Sequence, residues 1–352
     1  MKILIGINTL SSGGAEVFSA ELAVAYRRKG HEVTLVVYGG ILNSKGEYLQ
    51  KYLKANDVKT IDLSNKAKIL LPYYYQRMVA KLKPDLIHSN LEQTDLLLII
   101  TKPFNKGAKY IRTLHNIKIL DTYPIWLHRF LFKSYDKNIG CSQFTKTHFQ
   151  IEELKKEIIS IENGVDISRL RTDGEPVAKN KGETVFIVIG TSQKRFGKYQ
   201  KGHDLIIESF KQIREPYKVF FLGNLQNMEE DFPDALENPY FKLVGIISDI
   251  NEYLSIADFV LAPSRFEGLP ISIIEAVCSG VPLICSNIEG FLPFSNDSTL
   301  FFENENIKDM ILKLQEAIEK RDYFKQLAFK NKEKYIKKFD INEVATQYLN
   351  LN

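Results

Sequence analysis

The sequence predicts an α/β protein built from two doubly wound, Rossmann-like parallel-sheet domains. Three observations carry that prediction. The chain has 352 residues, room for about two domains of ordinary size. Short β-rich runs alternate with amphipathic stretches through both halves, as in parallel sheets covered on both faces. The alternation pauses once, at Glu162–Asp173, where Asn163-Gly164 is a turn dipeptide and a polar run continues through Gly182.

Taken in order, Lys2–Ile7 reads as the first strand, and its apolar run is too short for a secretory signal. Ala15–Arg28 reads as a helix, with Val17, Phe18, Leu22, Ala25 and Tyr26 on its apolar side and Gly30 as its stop. Further strands are expected at Val33–Tyr38, Val58–Ile61, Asp85–Ser89, Tyr110–Leu114 and Lys137–Cys141. After the pause, Thr184–Ile189 is a β-branched run, followed by strands at Lys218–Leu222, Phe241–Val244, Phe259–Ala262 and Leu283–Cys285. Helices are expected near His203–Ile213, Ile250–Ile256 and Pro270–Cys278. A last amphipathic helix, Asp340–Leu351, follows a Lys-rich stretch. The domains are therefore placed at 1–165 and 166–338, with 339–352 as a terminal helix.

Composition excludes several classes. Apolar residues make up 44% and charged residues 26%, which is neither a disordered chain nor a collagen-like or coiled-coil one. The net charge of +4 is too small to announce a nucleic-acid partner. It is unevenly spread. Residues 1–165 hold 24 Lys and Arg against 15 Asp and Glu, a net of +9, and the remainder is −5. Cys141, Cys278 and Cys285 lie in apolar runs and read as buried thiols of a reduced, cytoplasmic chain. No Cys/His cluster has zinc spacing. The longest strongly apolar run, Leu96–Ile100, is far shorter than a membrane span.

Open parallel sheets bind ligands beyond the carboxyl ends of their strands, so the loops that follow strands carry the functional reading. Asn8–Gly14 ends in Gly13-Gly14 and opens directly into a helix, whose free N–H groups suit an anion. A third glycine at dinucleotide spacing is missing. His115 ends a strand, where an imidazole can hydrogen-bond a sugar hydroxyl or a phosphate. His88-Ser89-Asn90 is a weaker candidate of the same kind. Gly190–Gly202 carries Lys194, Arg195, Lys198 and Lys201, four cations between a strand and a helix, fit for a diphosphate.

The strongest segment is Pro263–Glu275, Pro-Ser-Arg-Phe-Glu-Gly-Leu-Pro leading into a helix. Pro270 suits the first helical turn. Glu275 would lie about 7.5 Å further along the axis. A diphosphate can rest on the free N–H groups while Glu275 takes ribose hydroxyls and Glu267 those of a second sugar. Glu275 lies among Ile273, Ile274, Ala276 and Val277, and a half-buried carboxylate needs partners.

Glu267 and Glu275, seven residues apart, resemble the E-x7-E signature of the retaining glycosyltransferases of family 4. That resemblance implies GT-B architecture, two facing Rossmann-like domains with the active site between them. Gly13-Gly14-Ala15-Glu16 resembles the family's first glycine-rich loop, and Thr113-Leu114-His115-Asn116 its histidine motif. Asn163-Gly164-Val165-Asp166 resembles its interdomain segment and Lys201-Gly202 its phosphate-binding pair. Val244-Gly245, with Asp249 and Ala257-Asp258 after it, resembles the segment that cups the nucleotide base. The last helix resembles the one that crosses back onto the first domain.

The resemblance implies a nucleoside-diphosphate sugar donor on the second domain. Catalytic roles would fall to His115, Lys201 and Glu267. Donor contacts would come from Gly13, Gly14, Arg195, Lys201, Val244, Ile246, Gly268, Leu269 and Glu275. The family's arginine after the strand-ending glycine is absent, since Gly190 is followed by Thr191-Ser192. Arg195 is the candidate substitute and Lys194 the reserve. No metal or other cofactor is expected, because no Asp-x-Asp occurs. The expected reaction is retaining transfer to a glycan or polyprenyl-diphosphate-linked acceptor in cell-surface polysaccharide assembly. The departing phosphate would take the acceptor's proton on the same face. Two alternatives stand beside it: a nucleotide-sugar epimerase or hydrolase of the same architecture, and a non-catalytic nucleotide-sugar-binding paralogue. The sequence does not choose among UDP, GDP and ADP.

Two further expectations concern surfaces and stability. The aromatic, basic segment Tyr123–Tyr135 either packs on the sheet or lies at an anionic membrane face, which would place the chain peripherally on the inner face of the cytoplasmic membrane. Glu275→Ala is expected to abolish turnover with little loss of fold.

Overall fold

A computed structural model describes residues 1–115, 117, 123–150, 156–170 and 182–351. The chain divides into two compact units, residues 1–166 with 339–352, and residues 167–338. Asn116 and most of the polar run before Gly182 lie outside the described residues.

Unit 1 contains β1 (Lys2–Ile7), α1 (Gly14–Arg28), β2 (Glu32–Val37), α2 (Asn43–Ala55), β3 (Lys59–Asp62), α3 (Leu71–Leu82) and β4 (Leu86–Ser89). It continues with α4 (Glu92–Ile99), β5 (Lys109–Leu114), α5 (Ile125–Ser134), β6 (Lys137–Gly140), α6 (Gln143–Phe149) and β7 (Ile158–Ser160). Its strands form one parallel sheet in the order β3-β2-β1-β4-β5-β6-β7. Strand order reverses direction between β1 and β4, the place where such sheets open a crevice at their carboxyl edge. Ile3, Leu4, Ile5 and Ile7 are all buried, as expected of a central parallel strand covered on both faces.

Unit 2 contains β8 (Thr184–Ile189), the short antiparallel pair β9 (Lys194–Arg195) and β10 (Lys198–Tyr199), α7 (His203–Phe210), β11 (Tyr217–Leu222), α8 (Gln226–Asp231) and α9 (Pro233–Glu237). Then come β12 (Phe241–Gly245), α10 (Asn251–Leu254), β13 (Phe259–Ala262), α11 (Ile271–Cys278), β14 (Leu283–Ser286), β15 (Thr299–Phe302), α12 (Ile307–Glu319) and α13 (Arg321–Phe339). Its main sheet is parallel, in the order β12-β11-β8-β13-β14-β15, with the reversal at β8 and β13. Phe186, Phe210, Phe221, Phe241 and Phe259 form an aromatic core on one face.

The last helix, α14 (Ile341–Leu349), belongs to unit 1. Val165 donates its N–H to Phe339 O at 2.9 Å and accepts from Ile341 N–H at 3.0 Å. Val344, Ala345 and Tyr348 are buried, beside α1. Asp166 is held where it precedes unit 2, accepting both guanidinium nitrogens of Arg28 at 3.0 and 2.8 Å and the Tyr52 hydroxyl. Its own N–H donates to Glu21 Oε2 at 2.6 Å.

Several elements differ from the sequence reading. The Lys-rich stretch is itself the 19-residue helix α13. Its apolar residues Phe324, Ala328 and Tyr335 are buried, but they are sparse enough that Lys dominates the pattern. The helix expected at His203–Ile213 ends at Phe210. Pro270 is the residue before α11, extended at φ −75° and ψ 127°, rather than in its first turn. Strands β7 and β15 and the β9–β10 hairpin were not anticipated. They are only two to four residues long, too short to show a period.

Candidate active site

In unit 2, β8 and β13 are neighbours, paired through Phe186 and Phe259, so the loops after them lie side by side. The first runs from Gly190 through the β9–β10 hairpin to Lys201-Gly202. The second runs from Pro263 to Pro270. Gly190, at φ +152°, lets the Lys201 stem cross its Cα, since an added Cβ would meet Lys201 Cε at 2.9 Å. Gly202, at φ +68°, packs against Pro263, whose carbonyl oxygen would lie 2.1 Å from an added Cβ. Together these glycines bring Lys201 to the second loop, where its Nζ lies 2.7 Å from Glu267 Oε1. Ile189, Lys201, Ser264, Ser272 and Phe291 line a small cleft at this edge of the sheet.

The remaining unit 2 candidates divide. Gly268 and Leu269 are buried in the turn before α11. Val244, in β12, and Ile246, just after it, are half-buried at the same strand edge. Arg195 is half-buried in the hairpin, whereas Lys194 pairs with Asp231. Glu275 lies on α11 and is 5% exposed. It pairs with Arg169, whose Nη2 is 2.5 Å from Glu275 Oε1. Asn251 Nδ2 fixes the Arg169 backbone by donating to its carbonyl oxygen at 3.0 Å. Sequence reasoning missed Arg169, because nothing in a helical turn after Asp166 marks it as the partner of a carboxylate 106 residues away.

The ion pair bears on the expectation that Glu275→Ala spares the fold, because that substitution removes a buried charge-assisted contact.

In unit 1, Gly13 is the extended residue before α1 and Gly14 begins it. Glu16 folds back on this turn and accepts from Ser11 Oγ at 3.2 Å and Thr9 Oγ1 at 3.4 Å. Burial raises its carboxyl above the usual range, and its own backbone N–H and the Ser11 and Thr9 hydroxyls oppose that. His115 follows β5. Its Nε2 is 3.4 Å from Asn90 Oδ1, and its ring meets Phe18 edge-on at 5.2 Å. Burial lowers its imidazole to about 3, so the ring is neutral.

His88 is a core residue, fully buried, with Nε2 2.8 Å from Thr113 Oγ1. Thr113 Oγ1 also meets Tyr348 OH of α14 at 2.9 Å. Burial, then His115, lowers His88 to about 3.

Cys141, Cys278 and Cys285 are all buried. Among the described residues no group of three His, Cys, Asp or Glu is placed to hold a metal. No described helix is long and apolar enough to cross a membrane. In α5, Leu131 and Phe132 are buried, while Ile125, Trp126 and Phe130 are exposed.

Residues 12–169 match the model described as Glycosyltransferase Family 4, and residues 172–336 the model described as Glycosyl transferases group 1. The chain is 27% identical over 274 residues to the Escherichia coli UDP-Gal:alpha-D-GlcNAc-diphosphoundecaprenol alpha-1,3-galactosyltransferase, covering 69% of each protein. It is 22% identical over 374 residues to the Campylobacter jejuni N,N'-diacetylbacillosaminyl-diphospho-undecaprenol alpha-1,3-N-acetylgalactosaminyltransferase, covering 98% of this chain and 97% of that one. Its fold resembles that of Anabaena Alr3699/HepE, solved in complex with UDP and glucose. The TM-score there is 0.81 at 15% identity, over 100% of this chain and 99% of that one. Together the two models match most of the chain, in both units, and this chain belongs to the family 4 glycosyltransferases of GT-B architecture.

Proposed function

We propose that this glycosyltransferase moves a hexose, with retention, from a nucleoside-diphosphate sugar to a lipid-linked glycan in cell-surface polysaccharide assembly. The observation that carries the reading is the meeting of Lys201 and Glu267 at the β8/β13 reversal, 2.7 Å apart, between the starts of α7 and α11. A cation and two helix N-termini suit a diphosphate. The carboxylate suits a sugar diol. Glu275 takes ribose hydroxyls, while Arg169 holds that carboxylate in place. Val244, Ile246, Gly268 and Leu269 flank the nucleotide, and Arg195 adds positive charge from the hairpin.

Negative charge grows on the diphosphate as its bond to the sugar breaks. Fixed positive groups stabilise that growth most in the transition state. The departing phosphate oxygen takes the acceptor's proton, so no protein base is needed. On unit 1, neutral His115 is a hydrogen-bond partner for a sugar hydroxyl, and Gly13 and Gly14 offer backbone N–H groups. Metal-independent transfer is proposed because Lys201 and the helix termini provide the positive potential.

The name of the Escherichia coli relative supports a UDP-hexosyl donor, and the names of both relatives support a polyprenyl-diphosphate acceptor. Transfer is preferred to epimerisation or hydrolysis on the same ground. The test is calorimetric binding of UDP, GDP and ADP. Transfer to undecaprenyl-diphosphate-linked sugars from the matching donors follows, with and without EDTA, and NMR reads the product anomer. An inverted product, or turnover lost to EDTA, overturns the mechanism. Acceptor-independent turnover of donor at the full rate overturns the transferase reading.

Exposed Ile125, Trp126 and Phe130, with Arg129 and Lys133 on the same helix, support peripheral contact with an anionic membrane on the cytoplasmic side. Flotation with phosphatidylglycerol vesicles, compared with phosphatidylcholine alone, tests that contact. Equal recovery from both counts against it.

A further inference from the structure

We infer that Arg265 is a positioning residue that sets the Lys201–Glu267 geometry, and so turnover, without itself touching the donor. The inference rests on the reading that Lys201 and Glu267 serve the reaction. Arg265 is the third residue of Pro263-Ser264-Arg265-Phe266-Glu267, and its side chain is 10% exposed.

Its guanidinium spends its donors on three separate segments. Nη1 and Nη2 fork onto Asp204 Oδ1 and Oδ2 at 2.9 and 2.8 Å, in the first turn of α7. Nη1 also donates to Tyr199 O at 2.6 Å, at the base of the β9–β10 hairpin. Nε donates to Glu305 Oε1 at 2.8 Å, and the same carboxylate oxygen holds Lys198 Nζ at 2.7 Å.

These contacts bracket Lys201 on both sides. Tyr199 and Gln200 precede it, and Gly202 to Asp204 follow it. Two more links join the loops: the Arg265 backbone N–H donates to Gln200 O at 2.8 Å, and the Gln200 side-chain Nε2 donates to Phe266 O at 3.3 Å. Glu267 stands two residues beyond Arg265, so one side chain ties the loop carrying the cation to the loop carrying the carboxylate.

A planar fork with five donors is required to reach a carboxylate bidentately, a carbonyl and a second carboxylate at once. Lysine keeps the charge and one reach, but not the fork. Loss of the fork leaves the loops linked through Gln200 but removes the ties to Asp204, Tyr199 and Glu305 that fix Lys201 against Glu267. A displacement of about 1 Å at a reacting group costs about a hundredfold in rate.

The experiment compares wild type with Arg265→Lys, Arg265→Gln and Arg265→Ala, using Lys201→Ala as the reference. UDP binding is read by calorimetry. Transfer from UDP-galactose and UDP-glucose is read as kcat and KM. Expected is a drop in kcat of about ten- to a hundredfold in Arg265→Lys and Arg265→Gln, with donor KM and UDP affinity near wild type. Guanidinium ion is expected to restore part of the Arg265→Ala turnover.

Wild-type kcat in Arg265→Lys, or kcat falling only in step with UDP affinity, overturns the inference. If Arg265→Gln fails to fold, Arg265→Lys and the guanidinium rescue decide. The underlying reading fails separately, by wild-type transfer in Lys201→Ala.

Discussion

Lys201 Nζ and Glu267 Oε1 are 2.7 Å apart, with side chains 20% and 10% exposed. A cation assigned to the diphosphate and a carboxylate assigned to the sugar are therefore partners of each other. Each neutralises its neighbour, and a donor that engages both must loosen the pair as it binds.

That relationship separates stability from turnover. Lys201→Ala is expected to lower kcat about 10²- to 10³-fold, the usual loss for a group that stabilises transition-state charge. It is also expected to cost about 1–3 kcal/mol of stability, by leaving a mostly buried carboxylate without its partner. Adding Glu267→Gln is expected to return most of the stability and none of the turnover. Urea unfolding and transfer assays on the single and double variants check this. A double variant as unstable as Lys201→Ala sinks the argument.

Arg169 and Glu275 form a more deeply buried pair, with side chains 5% and 7% exposed. Arg169→Met is expected to destabilise unit 2 by about 3–5 kcal/mol, the range for breaking one side of a buried ion pair, and Glu275→Gln to destabilise it in the same direction. Both are expected to weaken UDP binding, Arg169→Met because the carboxylate loses its orientation. Calorimetry with UDP on folded protein, beside chemical unfolding, measures the two effects. Unchanged stability in Glu275→Gln contradicts the role of the pair.

Three histidines set an acid limit. His88 and His115 are lowered to about 3 and His203 to about 4 by burial, with His115 adding to the first and Lys201 to the last. Their folded values lie below the ordinary 6.5, so folding favours the neutral rings. The stability they contribute is fully present above pH 6.5 and is lost progressively as pH falls towards 4 and then 3. Stability profiles by urea unfolding are expected to fall across that window, and His88→Gln is expected to flatten the fall. NMR of the imidazole protons is expected to show no His115 titration between pH 8 and 5. A midpoint near 6.5 would refute its neutral burial.

The last helix is held through Tyr348, whose hydroxyl meets Thr113, which in turn meets His88. Tyr348→Phe is expected to cost about 1 kcal/mol, one hydrogen bond, and Tyr348→Ala about 3–5 kcal/mol, a buried aromatic side chain. The loss belongs to unit 1. Differential scanning calorimetry with limited proteolysis is expected to show unit 1 opening earlier and unit 2 unchanged. An equal loss in unit 2 would contradict this placement.

By itself the sequence determined what is local and periodic. Apolar runs such as Lys2–Ile7 and Thr184–Ile189 determine central strands, because parallel strands covered on both faces are apolar throughout. Gly13-Gly14, Lys201-Gly202 and Pro263–Glu275 mark loops at strand ends, because glycine and proline constrain the backbone there. The order of these motifs was enough to indicate the family. Tertiary structure decided what depends on residues far apart in the chain. It joined Arg169 to Glu275, Arg265 to Asp204 and Glu305, and Tyr348 to Thr113. It also turned His88 into a core residue. No spacing rule encodes such pairs, because a buried charge finds its partner through the packing of strands and loops, and that order is written in the whole sheet.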